Sequence, residues 1–243
     1  MWPEPALALL IGLGCLVAQA RADERVRDRL IASAHYPSGE TVPYLLTGLG
    51  ATPPQYVLIL MPGGSGRLEP EMRDGRLVFK ARGNFLIRSR ALFADAAMIV
   101  IATDSTGSPE RMGAITEDAG RRFPGAKVYV IGTSRSTLST MQLAERMDGK
   151  VAGFVHTSSM SGIARFDTRP LKSRQLIVHH KNDACSVTGY GSALYNHEQF
   201  GTDLITMEGG VSQGDACEAF AHHGYNGIEQ ETVGKIKAWI RQK

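Results

Sequence analysis

Six short apolar runs, at 56–61, 97–102, 127–131, 151–156, 175–179 and 204–207, alternate along the chain with segments of helical periodicity. Most are apolar without interruption, as in YVLILM and AMIVIA. That is the pattern of a strand covered on both faces, because a strand with one wet face alternates polar and apolar residues. The segments 85–94, 110–122, 136–147, 192–200 and 228–240 read as helices. In the last, Ile228, Val233, Ile236, Trp239 and Ile240 mark one apolar face. Strands and helices in alternation argue for an α/β fold, a mostly parallel central sheet with helices on both faces. Residues 24–50 read as a leading antiparallel hairpin. The longest loop excursion, 62–85, has one short apolar stretch, Leu77-Val78-Phe79, expected to form a small hairpin. Nothing between Met160 and Arg174 is long enough for a separate lid domain.

The 243 residues suit one sizeable domain, expected over 21–243. A net charge of +3 and the absence of any block of like charges give no footprint for nucleic acid. Residues 6–17 form an apolar run too short to span a bilayer, followed by Ala18-Gln19-Ala20. This reads as a cleaved signal peptide over 1–20 (22 is the alternative end) and predicts a periplasmic or secreted protein with no stable membrane insertion. The first residues, MWPEP, lack the expected Lys or Arg. Cys15 raises a lipoprotein reading, against which Gly12 stands where a lipobox wants Leu. In an oxidising compartment the remaining Cys185 and Cys217 are expected to pair, with two buried free thiols as the second reading.

The run that begins at 127 ends in Gly132-Thr133-Ser134-Arg135-Ser136 and leads into a helix. A strand that turns sharply into a helix at Gly-x-Ser-x-small is a nucleophile elbow, whose tight bend needs small residues two before and two after the serine. Gly132 and Ser136 meet that requirement around Ser134, whereas Ser136 as nucleophile would put Leu138 in the crowded position. The expected role of Ser136 is therefore to be small. A helix starting at Arg135 aims N–H groups and its positive dipole end at an oxyanion. The run at 56–61 ends in Pro62-Gly63-Gly64-Ser65-Gly66, a turn whose backbone can approach a ligand closely. Gly64 (or Gly63) and Arg135 are the expected oxyanion donors. No Gly-Lys-Ser/Thr follows, which excludes a Walker motif.

Asp183 lies just past the run at 175–179, where α/β sheets place functional side chains. His222 and His223 precede the last helix. Serine, acid and histidine thus occur in the order Ser134, Asp183, His223. On these motifs the chain resembles a small, lidless member of the α/β-hydrolase superfamily, of the esterase and dienelactone-hydrolase kind. The resemblance runs from PGGSG through GTSRS and NDAC to HHGYNGIE. It implies Ser134 as nucleophile, Asp183 as acid and His223 as base, with His followed by Gly and an aromatic residue favouring His223 over His222. Ser136 in place of the usual glycine and a PGGSG without the His of the HGGG turn are departures from the pattern.

The function expected is hydrolysis of a small-molecule carboxylic ester through an acyl-enzyme, without cofactor or metal. A peptidase, an acyltransferase or a non-catalytic exported binding protein on the same fold are the rivals. Asn182 and Asp203 are rival acids, and Asp104 is expected to cap a turn rather than line the pocket. A zinc site from His179, His180, His222 and His223 lacks a recognised ligand spacing. A Cys185–Cys217 disulfide would tie the acid loop to the base loop.

Overall fold

The computed structural model describes residues 26–49 and 53–242; the signal-peptide reading and Cys15 lie outside them. Strands β1 (Arg27–Ile31), β2 (Tyr44–Gly48), β3 (Tyr56–Met61), β6 (Met98–Ala102), β7 (Lys127–Thr133), β8 (Gly153–Thr157), β9 (Arg174–His180) and β10 (Asp203–Met207) form one sheet. A separate hairpin pairs β4 (Glu71–Arg73) with β5 (Arg76–Val78). The helices are α1 (Phe85–Arg88), α2 (Arg90–Phe93), α3 (Pro109–Arg122), α4 (Ser136–Arg146), α5 (Tyr190–Phe200) and α6 (Glu229–Arg241). The sheet order is β1-β2-β6-β3-β7-β8-β9-β10. β1 and β2 run antiparallel to their neighbours, as a leading hairpin requires, and all other pairs are parallel.

The uninterrupted apolar runs have a direct physical cause. In β3, Val57, Ile59 and Met61 pack on one face with Met112 and Ile115 of α3 and Leu143 of α4. Leu58 and Leu60 face the other way, toward Phe85, Phe93 and the α6 residues Val233, Ile236 and Ile240. Both residue parities are buried, so no polar position is tolerated. Each fully buried Leu or Ile contributes about 1.5–3 kcal/mol relative to exposure.

The segment 85–94 is not one helix. It breaks at Ser89 into α1 and α2, and Arg88 turns inward instead of continuing a surface stripe. Its guanidinium donates to Gly83 O (2.7 Å), Gly224 O (2.6 Å) and the Glu229 carboxylate (2.9 Å). One side chain therefore ties the wall of the 79–85 loop to the turn that carries His223.

Candidate active site

β7 lies in the middle of the sheet and ends in the turn that carries Ser134. The serine backbone is left-handed, with φ of +53°, a conformation that costs a non-glycine residue about 1–3 kcal/mol. Its N–H donates to Thr157 O (3.0 Å), and its carbonyl accepts from the Thr137 N–H (2.9 Å) and hydroxyl (2.7 Å). The bend also demands Gly132, where a Cβ would lie 2.8 Å from Ser136 O.

Ser136 is more than small. Its buried hydroxyl accepts from Thr133 N–H (2.7 Å) and stands 2.8 Å from Met61 O and 2.9 Å from Thr133 O, to which it donates. It bridges the end of β7 to the end of β3, where the Pro62-to-Gly66 turn begins. Gly63 then runs so close to the elbow that a Cβ would meet Thr133 O at 2.8 Å. Gly64 has a left-handed φ of +62° and is exposed. Its N–H and that of Arg135, the N-cap of α4, have no acceptor among the described residues. Asp104 holds the far side of this turn, accepting from Leu68 N–H (2.6 Å) and Glu69 N–H (2.9 Å), while Arg111 donates to its other oxygen. It is a turn-capping residue, as expected.

Asp183 follows β9 and is buried. Oδ1 accepts from Cys185 N–H (3.0 Å). Oδ2 accepts from His223 Nδ1 (3.0 Å), the Thr188 hydroxyl (3.1 Å) and His179 Nε2 (3.2 Å). Burial pushes the carboxyl up, but the hydrogen bonds from His179 and His223 outweigh it and hold Asp183 far below the usual carboxylate range. Neither rival acid hydrogen-bonds to His223. Asp203 accepts from the Trp239 indole N–H at 2.7 Å, and the N–H of exposed Asn182 donates to His180 Nδ1.

His223 sits in a short 3-10 turn before α6 and is 5% exposed. Its carbonyl accepts from Ser158 Oγ (2.6 Å), and Ser158 N–H donates to Tyr225 Oη (2.9 Å), which donates to Val178 O (2.8 Å). Ser158 (φ +44°) and Tyr225 (φ +57°) are both left-handed and fully buried. This clamp fixes the backbone that presents His223. The adjacent His222 instead stacks on His180, ring centroids 4.4 Å apart. Cys185 and Cys217 form a disulfide between the Asp183 loop and the loop before His223.

Ser134 and His223 line one cleft of about 390 Å³ with Gly63, Gly64, Phe85, Glu218 and the exposed Phe220. The structure thus brings together Ser134, His223 and Gly64 at one surface, with Asp183 behind His223. Thr188, Ser158, Tyr225, Arg88 and the Asp183 contact of His179 escaped sequence reasoning: Ser158, Tyr225 and Arg88 act through partners distant in sequence, and no local motif marks the contacts of His179 and Thr188 with Asp183, four and five residues away. The four histidines considered for zinc do not converge. His179 faces Asp183, His180 donates to Gly209 O, and among the described residues no cluster of three potential metal ligands occurs.

No family model matches the sequence, and no curated protein matches it. Solved structures do match. A serine hydrolase without a lid from Xanthomonas campestris superposes with a TM-score of 0.57 at 12% identity, covering 89% of this chain and 97% of that one. An esterase domain from Rhodothermus marinus gives 0.60 at 13% identity, over 88% and 98% of the two chains. A serine hydrolase homologue from Coxiella burnetii gives 0.56 at 13% identity, over 88% and 95%. With its mostly parallel eight-stranded sheet and no inserted lid among the described residues, the chain has the α/β-hydrolase fold.

Proposed function

We propose that the chain is an exported serine hydrolase that cleaves a carboxylic ester through an acyl-enzyme. The observation that carries this reading is the strained Ser134 sharing a cleft with His223, whose Nδ1 is bonded to Asp183. A serine hydroxyl is a weak nucleophile until a base takes its proton. In this reading the Ser134–His223 bond closes as substrate binds, as catalytic hydrogen bonds commonly do. His223 Nε2 takes the hydroxyl proton while Oγ bonds to the ester carbon, and the carbonyl electron pair moves onto oxygen. The N–H groups of Gly64 and Arg135 stabilise that oxyanion, a donor of this kind being worth about 3–4 kcal/mol. Collapse breaks the bond to the alcohol oxygen, which takes the proton from His223. Water then repeats the sequence with His223 as base, releasing the acid and restoring Ser134. Asp183 takes no proton; it fixes the imidazole and stabilises the imidazolium.

The Cys185–Cys217 disulfide supports an oxidising destination, periplasmic or secreted. Among the described residues no helix is long and apolar enough to cross a membrane. A solvent-facing cleft with no lid over it among the described residues favours small, soluble esters. Fluorophosphonate labelling, mapped by peptide mass, tests the reading. Stoichiometric modification of Ser134 with turnover of short p-nitrophenyl esters is expected. No labelling of folded protein would leave a binding protein on a hydrolase fold.

A further inference from the structure

One buried imidazole has no part in that chemistry. His179 lies in the buried stretch of β9, one residue before the strand ends at His180 and four before Asp183, and none of its surface is exposed. Its Nε2 lies 2.6 Å from Thr188 O and 3.2 Å from Asp183 Oδ2. A carbonyl oxygen only accepts, so Nε2 carries the proton and shares it between the two oxygens. Nδ1 is buried with no partner, and the ring packs edge-on to Tyr190. An orphaned buried nitrogen is costly, so an apolar residue would fill this space more favourably if packing were its only role. Instead, three donors from His179, Thr188 and His223 converge on one carboxylate oxygen.

We propose that His179 is a positioning residue for the acid: its Nε2–H fixes Thr188 and the carboxylate so that Oδ2 faces His223, and it takes a share of that oxygen's charge. The inference rests on the hydrolase reading for its kinetic consequence, but the coupling itself does not. With His179 in place, Oδ2 divides its charge between two imidazoles. The other groups around this carboxylate are the Thr188 hydroxyl on Oδ2, the Cys185 N–H on Oδ1, and His180 and Tyr225, which feel its charge, while Glu218 lines the cleft with His223.

The test compares wild type with His179→Phe, which keeps a ring but no donor, and His179→Gln, which restores an N–H. In His179→Phe, kcat should fall about ten-fold or more with KM within two-fold, because the carboxylate is no longer aligned. The Nδ1–H proton resonance of His223, read by NMR, should move further downfield, since Oδ2 then accepts from one imidazole fewer. His179→Gln should recover most of both. In wild type the His179 proton should reside on Nε2. An Nδ1–H tautomer of His179 overturns the proposal whether or not the Phe variant folds, as does an unchanged His223 Nδ1–H resonance in a folded variant. Wild-type protein without esterase activity would defeat the hydrolase reading, and the Nδ1–H resonance would still decide the coupling.

Discussion

Replacing Ser136 by alanine removes one oxygen from a site where two backbone groups depend on it. The hydroxyl accepts from Thr133 N–H at 2.7 Å and reaches Met61 O at 2.8 Å, and the side chain is 1% exposed. Alanine leaves both groups without that partner at the junction of β3 and β7. A buried backbone group left unpaired costs about 1–3 kcal/mol, so the pair amounts to about 2–4 kcal/mol after some relaxation. At about 2–4 °C per kcal/mol for a domain of this size, the melting temperature should fall by about 5–15 °C. Pro62 follows Met61 directly, so the turn that presents Gly64 should also shift, with kcat reduced while fluorophosphonate still labels Ser134. Calorimetry and ester turnover on Ser136→Ala measure the two effects together. A drop of less than about 2 °C with unchanged kcat would mean the hydroxyl only fills space, the role expected from sequence spacing alone.

Ser134→Gly should abolish ester turnover yet raise stability by up to about 1 kcal/mol, because glycine adopts φ of +53° without strain; denaturant titration showing a loss instead would mean that the serine backbone is unstrained. Reduction of Cys185–Cys217, which closes a 32-residue separation, should cost up to about 4 kcal/mol. Activity should disappear below the temperature of global unfolding, and activity unaffected by reductant in protein with verified free thiols would rule out the tether. His223→Ala should lose far more activity than His222→Ala, whose ring is stacked on His180 outside the acid's reach; the reverse ranking would move the base. Asp118, despite burial that pushes its carboxyl up, is held at about 2 by hydrogen bonds from Tyr44, Arg122 and Ser33. A depressed folded-state pKa gives stability that is present above pH 4 and lost as pH falls through 2, here about 2 kcal/mol. Asp118→Asn should flatten the stability–pH curve across that window, and an unchanged slope would refute the assignment.

The central strands were legible because burial on both faces leaves a signature that needs no partner to be identified. Ser134 was legible for a similar reason: the geometry of the bend restricts its neighbours at 132 and 136, both local in sequence. Asp183 and His223 followed from their placement after β9 and before α6. The supporting side chains were not legible. Arg88 looks like a surface residue of one helix until Gly224 and Glu229, far along the chain, are brought beside it. Ser158 and Tyr225 carry no local mark of a left-handed backbone, and only their mutual hydrogen bond reveals the clamp. Asp203 lies just before the apolar run at 204–207 and opens β10, but its partner, Trp239, comes from α6.

The order of the strands also determines when, during synthesis, the site comes into being. β7 lies at the centre of the sheet between β3 and β8, so the serine turn can be packed once roughly the first two-thirds of the chain has emerged. The carboxylate arrives with the segment after β9, and the imidazole only after β10, in a turn that Arg88 holds beside Glu229 of α6. On the hydrolase reading proposed above, a chain still being made carries a strained serine with no base to deprotonate it, and reactivity is withheld until that turn docks.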